Sequence, residues 1–111
     1  MSLAELLQLT RPLVMVDLET TGIRPATDRI CQIGIIKIYP DGAEKSWMTL
    51  VKPGEQWHIP QEMTDIHGIS DEDVAAAPLF EEVAGILHKG LIGSDIGGYN
   101  VHFDIDFLSA P

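Results

Sequence analysis

The chain opens on a short apolar repeat. Leu3, Leu6 and Leu7 fall on one helical face, and Ser2 with Glu5 three residues on has capping-box spacing, which predicts a brief helix stopped by Pro12. Leu13 to Leu18 (Leu-Val-Met-Val-Asp-Leu) then runs almost without a polar break, the pattern of a central strand buried on both faces with its acid where the strand leaves the core. Thr20-Thr21-Gly22 breaks that strand. Ile30 to Tyr39 reads as a second, with Gly34 inside it as a bulge or close-approach point. Pro40-Asp41-Gly42 carries turn chemistry: Pro presets φ, Asp closes an Asx turn and Gly accepts positive φ. A third strand over about residues 44–52 sets Trp47, Thr49 and Val51 on one face, and the short links predict an antiparallel meander.

From Pro53 to Ala77 the pattern is irregular and polar, relieved by a short helix that Ser70 caps with Asp73 at its third position. Connections this long are uncommon unless functional. Pro78 suits the first position of a longer helix, in which Phe80, Val83, Ala84 and Leu87 make one buried face and which Gly90 ends. Leu91-Ile92-Gly93 reads as a short fourth strand, Gly97-Gly98 as a break, and Asn100 as the cap of a last helix in which Phe103 and Phe107 share a face.

Composition narrows the classes. One hundred and eleven residues suffice for one small domain, and 45% hydrophobic with 22% charged residues describes a folded chain rather than a disordered one. Seventeen acidic against seven basic residues, a net charge of -10, exclude a binder that works by a basic patch on phosphates. They do not exclude an enzyme whose acids hold divalent cations, because bound cations invert the charge a phosphate meets. The single Cys31 makes neither an intrachain disulfide nor a multi-cysteine zinc site. Without a long uncharged apolar run, and with Glu5 where a signal peptide would be basic, the expectation is a soluble, cytoplasmic protein that does not engage a membrane.

Asp17 and Glu19 stand two apart on a strand, so their carboxylates share one side of the sheet. Hard oxygen donors in this arrangement suit Mg²⁺ or Mn²⁺. By spacing alone, a strand end with solvated acids accounts for the pair at least as well. The run Asp17-Leu18-Glu19-Thr20-Thr21-Gly22, however, resembles the first motif of the DEDD superfamily of 3′-5′ exonucleases, the group that contains the proofreading epsilon subunit of bacterial DNA polymerase III and ribonuclease T-like enzymes. Gly98-Tyr99-Asn100-Val101-His102-Phe103-Asp104-Ile105-Asp106-Phe107-Leu108 is similar to that family's second motif, Asn-x-x-Phe-Asp-x-x-Phe-Leu. Ile66-His67-Gly68-Ile69 resembles the connection these exonucleases carry between their third strand and first main helix.

The resemblance covers about residues 13–108 and implies a ribonuclease H-like α/β fold, with a mixed sheet, an antiparallel three-strand meander and flanking helices. It implies Asp17, Glu19 and Asp104 as catalytic ligands of two Mg²⁺ or Mn²⁺ ions, and Thr20, His67 and Asn100 beside the 3′-terminal nucleotide. Such a site hydrolyses phosphodiester bonds with two metals about 3.5–4 Å apart, one generating the attacking hydroxide and one stabilising the leaving 3′ oxygen. The implied substrate is a single-stranded nucleic-acid 3′ end, DNA ahead of RNA, and the implied partner a replication or repair polymerase.

The family's third motif, His-x-x-x-x-Asp or Tyr-x-x-x-Asp, has no counterpart after Asp104, so residues 1–111 read as one exonuclease-like domain without its C-terminal helices. His67 and His102 lack an aspartate five positions on and are poor substitutes for the missing base. Asp106 sits about 200° around a helix from Asp104 and cannot share its metals. Asp71-Glu72-Asp73 reads as helix-start charge, Trp47 as core and Trp57 as the better of the two tryptophans for stacking on a base. The alternatives are a relative that binds metal or nucleic acid without cleaving it, and an acidic protein-interaction module.

Overall fold

The computed structural model describes residues 3–97 and Leu108. A short helix α1 (Leu3–Leu7) leads into β1 (Leu13–Thr20), β2 (Ile30–Ile38) and β3 (Glu44–Leu50), and the later chain gives α2 (Gln61–His67), α3 (Asp71–Val74), α4 (Phe80–Leu91) and β4 (Asp95–Gly97). The four strands form one mixed sheet in the order β3-β2-β1-β4. The meander is antiparallel as expected, and β4 joins β1 in parallel. Its turn closes as its chemistry requires: Gly42 takes φ 92°, and the Asp41 carboxylate accepts the Ala43 N–H at 2.9 Å.

Burial along β1 corrects the expectation of a strand covered on both sides. Val14, Val16 and Leu18 are 0%, 3% and 5% exposed, whereas Met15 between them is 37% exposed and Asp17 is open to solvent. The inward row meets Ile33 of β2 and Val83 and Leu87 of α4, so the helix side of the sheet is the core. The outward row, Met15 and Asp17, lies opposite Ile36 and Gly34 of β2, and with Met48 of β3 these residues line an open groove of about 700 Å³.

Gly34 is neither a bulge nor a close approach, since a Cβ there would rest 3.7 Å from the Asp17 carbonyl, an ordinary contact. The ladder slips elsewhere, between Glu19 (opposite Gln32) and Thr20 (opposite Ile30), which leaves Cys31 as the extra residue.

The long connection contains a helix that the apolar pattern concealed. Helix α2 begins after Pro60, ends on Gly68 in the left-handed conformation (φ 76°), and buries no residue, so it has no apolar stripe to announce it. Helix α3 carries the expected Ser70–Asp73 capping box. Together with Cys31, its Val74 and the adjoining Ile59 and Ile69 build a second, smaller core.

Helix α4 starts later and ends later than the punctuation suggests. Pro78 and Leu79 run alongside the end of β3, where the Pro78 carbonyl accepts the Lys52 N–H at 2.8 Å, and only then does the helix begin. Gly90 lies within the helix, and its bare Cα faces Ile35 Cδ1, which a Cβ would meet at 3.3 Å. Leu91-Ile92-Gly93 is therefore the helix end, with Gly93 at φ 73°, and the fourth strand comes two residues later. The Gly97-Gly98 break and the final helix from Asn100 lie outside the described residues. No helix among the described residues is long and apolar enough to cross a membrane.

Two neighbours on α4 separate core from surface. Leu87, 4% exposed, should cost about 2–5 kcal/mol when truncated to Ala. Ile86→Ala, at 57% exposure, should stay within about 0.5 kcal/mol of the parent in the same urea titration.

Candidate active site

Strand alternation brings Asp17 and Glu19 to the outward face of β1, opposite Gly34 and Gln32. Glu19 is partly buried, and its carboxyl is held above the ordinary glutamate range. Burial is the main cause and the negative charge of Asp17 the second. The cost that burial and the neighbouring acid place on the Glu19 carboxylate is relieved by a cation beside it, and two hard oxygen donors on one face suit a divalent metal.

Among the described residues no group of three His, Cys, Asp or Glu gathers into a site that could hold a metal. Asp104 and Asn100 lie outside the described residues. Cys31 adds no soft ligand, because burial, and next the Glu19 charge, push its thiol up to about 12 and keep it protonated at neutral pH.

Beyond Glu19 the backbone is held by a frame of hydrogen bonds. Thr20 continues the inward row, 3% exposed, and its hydroxyl donates to the Gly22 carbonyl. The Thr21 hydroxyl donates to Asp28 Oδ1 at 3.2 Å and accepts the Arg29 N–H at 3.0 Å, while Asp28 Oδ2 accepts the Arg24 N–H at 3.0 Å. The Asp28 carboxylate fills the space where a side chain at residue 22 would stand, so any residue larger than glycine must displace it.

Trp57 closes this loop from outside, donating from Nε1 to the Thr27 carbonyl at 3.0 Å under the Arg29 guanidinium, 4.3 Å from the ring centre. Its indole is thus part of the frame. Asp71 likewise tethers the connection, accepting the Ile59 N–H at 2.8 Å, and with Glu72 and Asp73 it lies in the first turn of α3, as expected of helix-start charge.

His67 stands at the end of α2 against the same stretch of β1. Its Nδ1 accepts the Ile69 N–H at 3.1 Å, and this assigns the ring proton to Nε2, which donates to the Thr20 carbonyl at 3.2 Å. His67 is therefore brought to the Thr20 backbone next to Glu19, whereas the Thr20 side chain is buried on the other face of the sheet. Sequence reasoning passes over Asp28 and Arg29, and reads Trp57 only as a tryptophan for stacking on a base, because no spacing rule joins the three; the one available signal is an Asx-prone acid in a Pro-containing link between strands.

The family model described as Exonuclease, of the RNase T type, matches residues 14–110. The chain belongs to this exonuclease family. It is 39% identical over 98 residues to the DNA polymerase III subunit epsilon-like protein of Rhodobacter capsulatus, covering 86% of this chain and 14% of that protein. It is 31% identical over 94 residues to the DNA polymerase III subunit epsilon of Treponema pallidum, covering 85% of this chain and 43% of that one. The chain thus spans less than half the length of these relatives.

Among solved structures, it is similar to E. coli exonuclease I in complex with a dT13 oligonucleotide, at TM-score 0.77 and 24% identity over 89% of this chain and 23% of that one. That likeness shows the fold: the mixed sheet with flanking helices is the expected ribonuclease H-like exonuclease fold.

The frame makes two measurements decisive. Gly22→Ala must displace the Asp28 carboxylate and should cost about 1–3 kcal/mol. In an Asp28→Ala background the same change should cost at least about 1 kcal/mol less, measured by a double-mutant cycle in urea. In the metal-free protein, Asp17→Asn should lower the Glu19 titration midpoint seen by carboxyl NMR while leaving it above the ordinary value, since burial persists. Because the folded protein holds this proton more tightly than the unfolded chain, metal-free stability should decline as pH rises through the raised midpoint, and Glu19→Gln should remove that decline.

Proposed function

We propose that the chain carries a metal-dependent 3′-5′ exonuclease activity on single-stranded nucleic-acid ends, DNA ahead of RNA, in association with a replication or repair polymerase. The observation that carries the reading is the presentation of Asp17 and Glu19 on one open face of β1, with Glu19 feeling the charge of Asp17, inside a family match that spans both acidic motifs. The polymerase context rests on relatives whose names place them with DNA polymerase III.

Asp17 and Glu19 would hold the metal, with Asp104 as the third ligand. When bound, divalent ions supply an activated water and stabilise the leaving 3′ oxygen. The chain's own residues then have separate tasks. Asp17, on the central strand, would be the ligand shared within the site, and Glu19 would serve mainly the side where water is activated. Thr20, His67 and Asn100 belong to the surroundings of the 3′-terminal nucleotide, Thr20 through its backbone, because its side chain is buried.

A 5′-labelled single-stranded oligonucleotide incubated with the chain and Mn²⁺ should shorten stepwise from its 3′ end. A chelator should stop the shortening, and Asp17→Asn should slow it by more than about 100-fold, beyond what loss of an outer-shell partner costs. Shortening that survives either treatment overturns the reading, and Mn²⁺ binding in calorimetry without shortening identifies a binding protein instead.

A further inference from the structure

The slip in the sheet directly follows Glu19. Up to that residue β1 and β2 are in register; after it Cys31 intervenes, and Thr20 pairs with Ile30. Bulges of this kind bend a strand and re-aim the neighbouring side chains, and they need support because the ladder is locally interrupted. Here the support comes from across the fold, where His67 Nε2 donates to the Thr20 carbonyl at 3.2 Å, beside the buried Cys31 sulfur at 4.0 Å.

The other end of the ring is fixed as well. Nδ1 accepts the Ile69 N–H at 3.1 Å, one residue past the left-handed Gly68 that terminates α2. Ile69 is buried in the smaller core together with Cys31, so the ring is anchored on a packed element rather than on a free loop. Both ring nitrogens are committed to backbone groups.

We infer that His67 is a positioning residue, a clasp that holds the β1–β2 bulge and thereby sets the direction in which Glu19 leaves the sheet. This rests on the exonuclease reading for its catalytic consequence but not for the clasp itself. A substrate contact by a ring nitrogen would require one of these backbone bonds to break. The clasp requires both to persist with substrate absent.

The test separates the two parts. In the metal-free full chain, ¹⁵N NMR should show His67 as the Nε2–H tautomer, and the Ile69 amide should exchange slowly. A ring averaging between tautomers, or an Ile69 amide that exchanges as fast as in His67→Ala, overturns the clasp whatever the activity.

Two amide variants then divide the ring's functions. Gln reaches with an N–H donor where Nε2 stands, and Asn offers an oxygen where Nδ1 stands. His67→Asn and His67→Ala should shift the Glu19 and Gln32 amide resonances and lower kcat by about 10- to 100-fold with KM within about twofold, the scale of a misplaced catalytic group. His67→Gln should restore both the resonances and most of kcat. Raised KM at unchanged kcat, or equal loss in Gln and Asn, overturns the proposal. If the parent shows no nuclease activity the proposed function fails, and the tautomer, exchange and resonance shifts still decide the clasp.

Discussion

Everything in this molecule depends on the fact that a strand offers successive side chains to opposite faces. β1 has to anchor the core and display the acids at once, and it does so by strict alternation, with Val14, Val16 and Leu18 turned to α4 and Asp17 turned away. A shift of one residue in its pairing would exchange the two sets, burying carboxylates and exposing valines. The register with β2 is thus as much a condition of the chemistry as of the fold. Ile33, fully buried opposite Leu18, helps to fix it.

That regularity stops where the acids end. After Glu19 the ladder gives way to irregular backbone whose polar groups must be satisfied locally. Thr21, Asp28 and the Arg24 and Arg29 amides form one net, and His67 forms another from the far side. Four of the six residues in the Asp-Leu-Glu-Thr-Thr-Gly run are therefore structural, Leu18 in the core among them. Its carboxylates face outward, while Thr20 and Thr21 are buried and Gly22 exists to make room for Asp28.

The parts of the fold that were readable in the chain are those set by short-range rules. The antiparallel pairing of the meander, the Pro-Asp-Gly turn and the Ser70 cap are local matters, and each takes its expected form. Errors arose where a distant contact decided. Pro78 could have begun α4 but pairs alongside the end of β3 instead, and Gly90 looked like a stop but is the point where helix and sheet approach. Helix α2 escaped notice because a helix with no buried residue leaves no periodic trace. At the site, Asp17 and Glu19 stood out by spacing and motif, whereas Asp28, Trp57 and the committed nitrogens of His67 belong to contacts between remote segments.

The open groove beside the acids has an electrical meaning. Asp17 shares its surroundings with Met15, Ile36 and Met48, side chains that neither donate hydrogen bonds nor reorient dipoles as water does. Field lines from a carboxylate on such a floor are only weakly screened on the protein side and spread instead into the solvent above. A protein of net charge -10 can in this way direct the attraction of Asp17 for a small cation outward, because the apolar side chains beside it in the groove do not answer its charge.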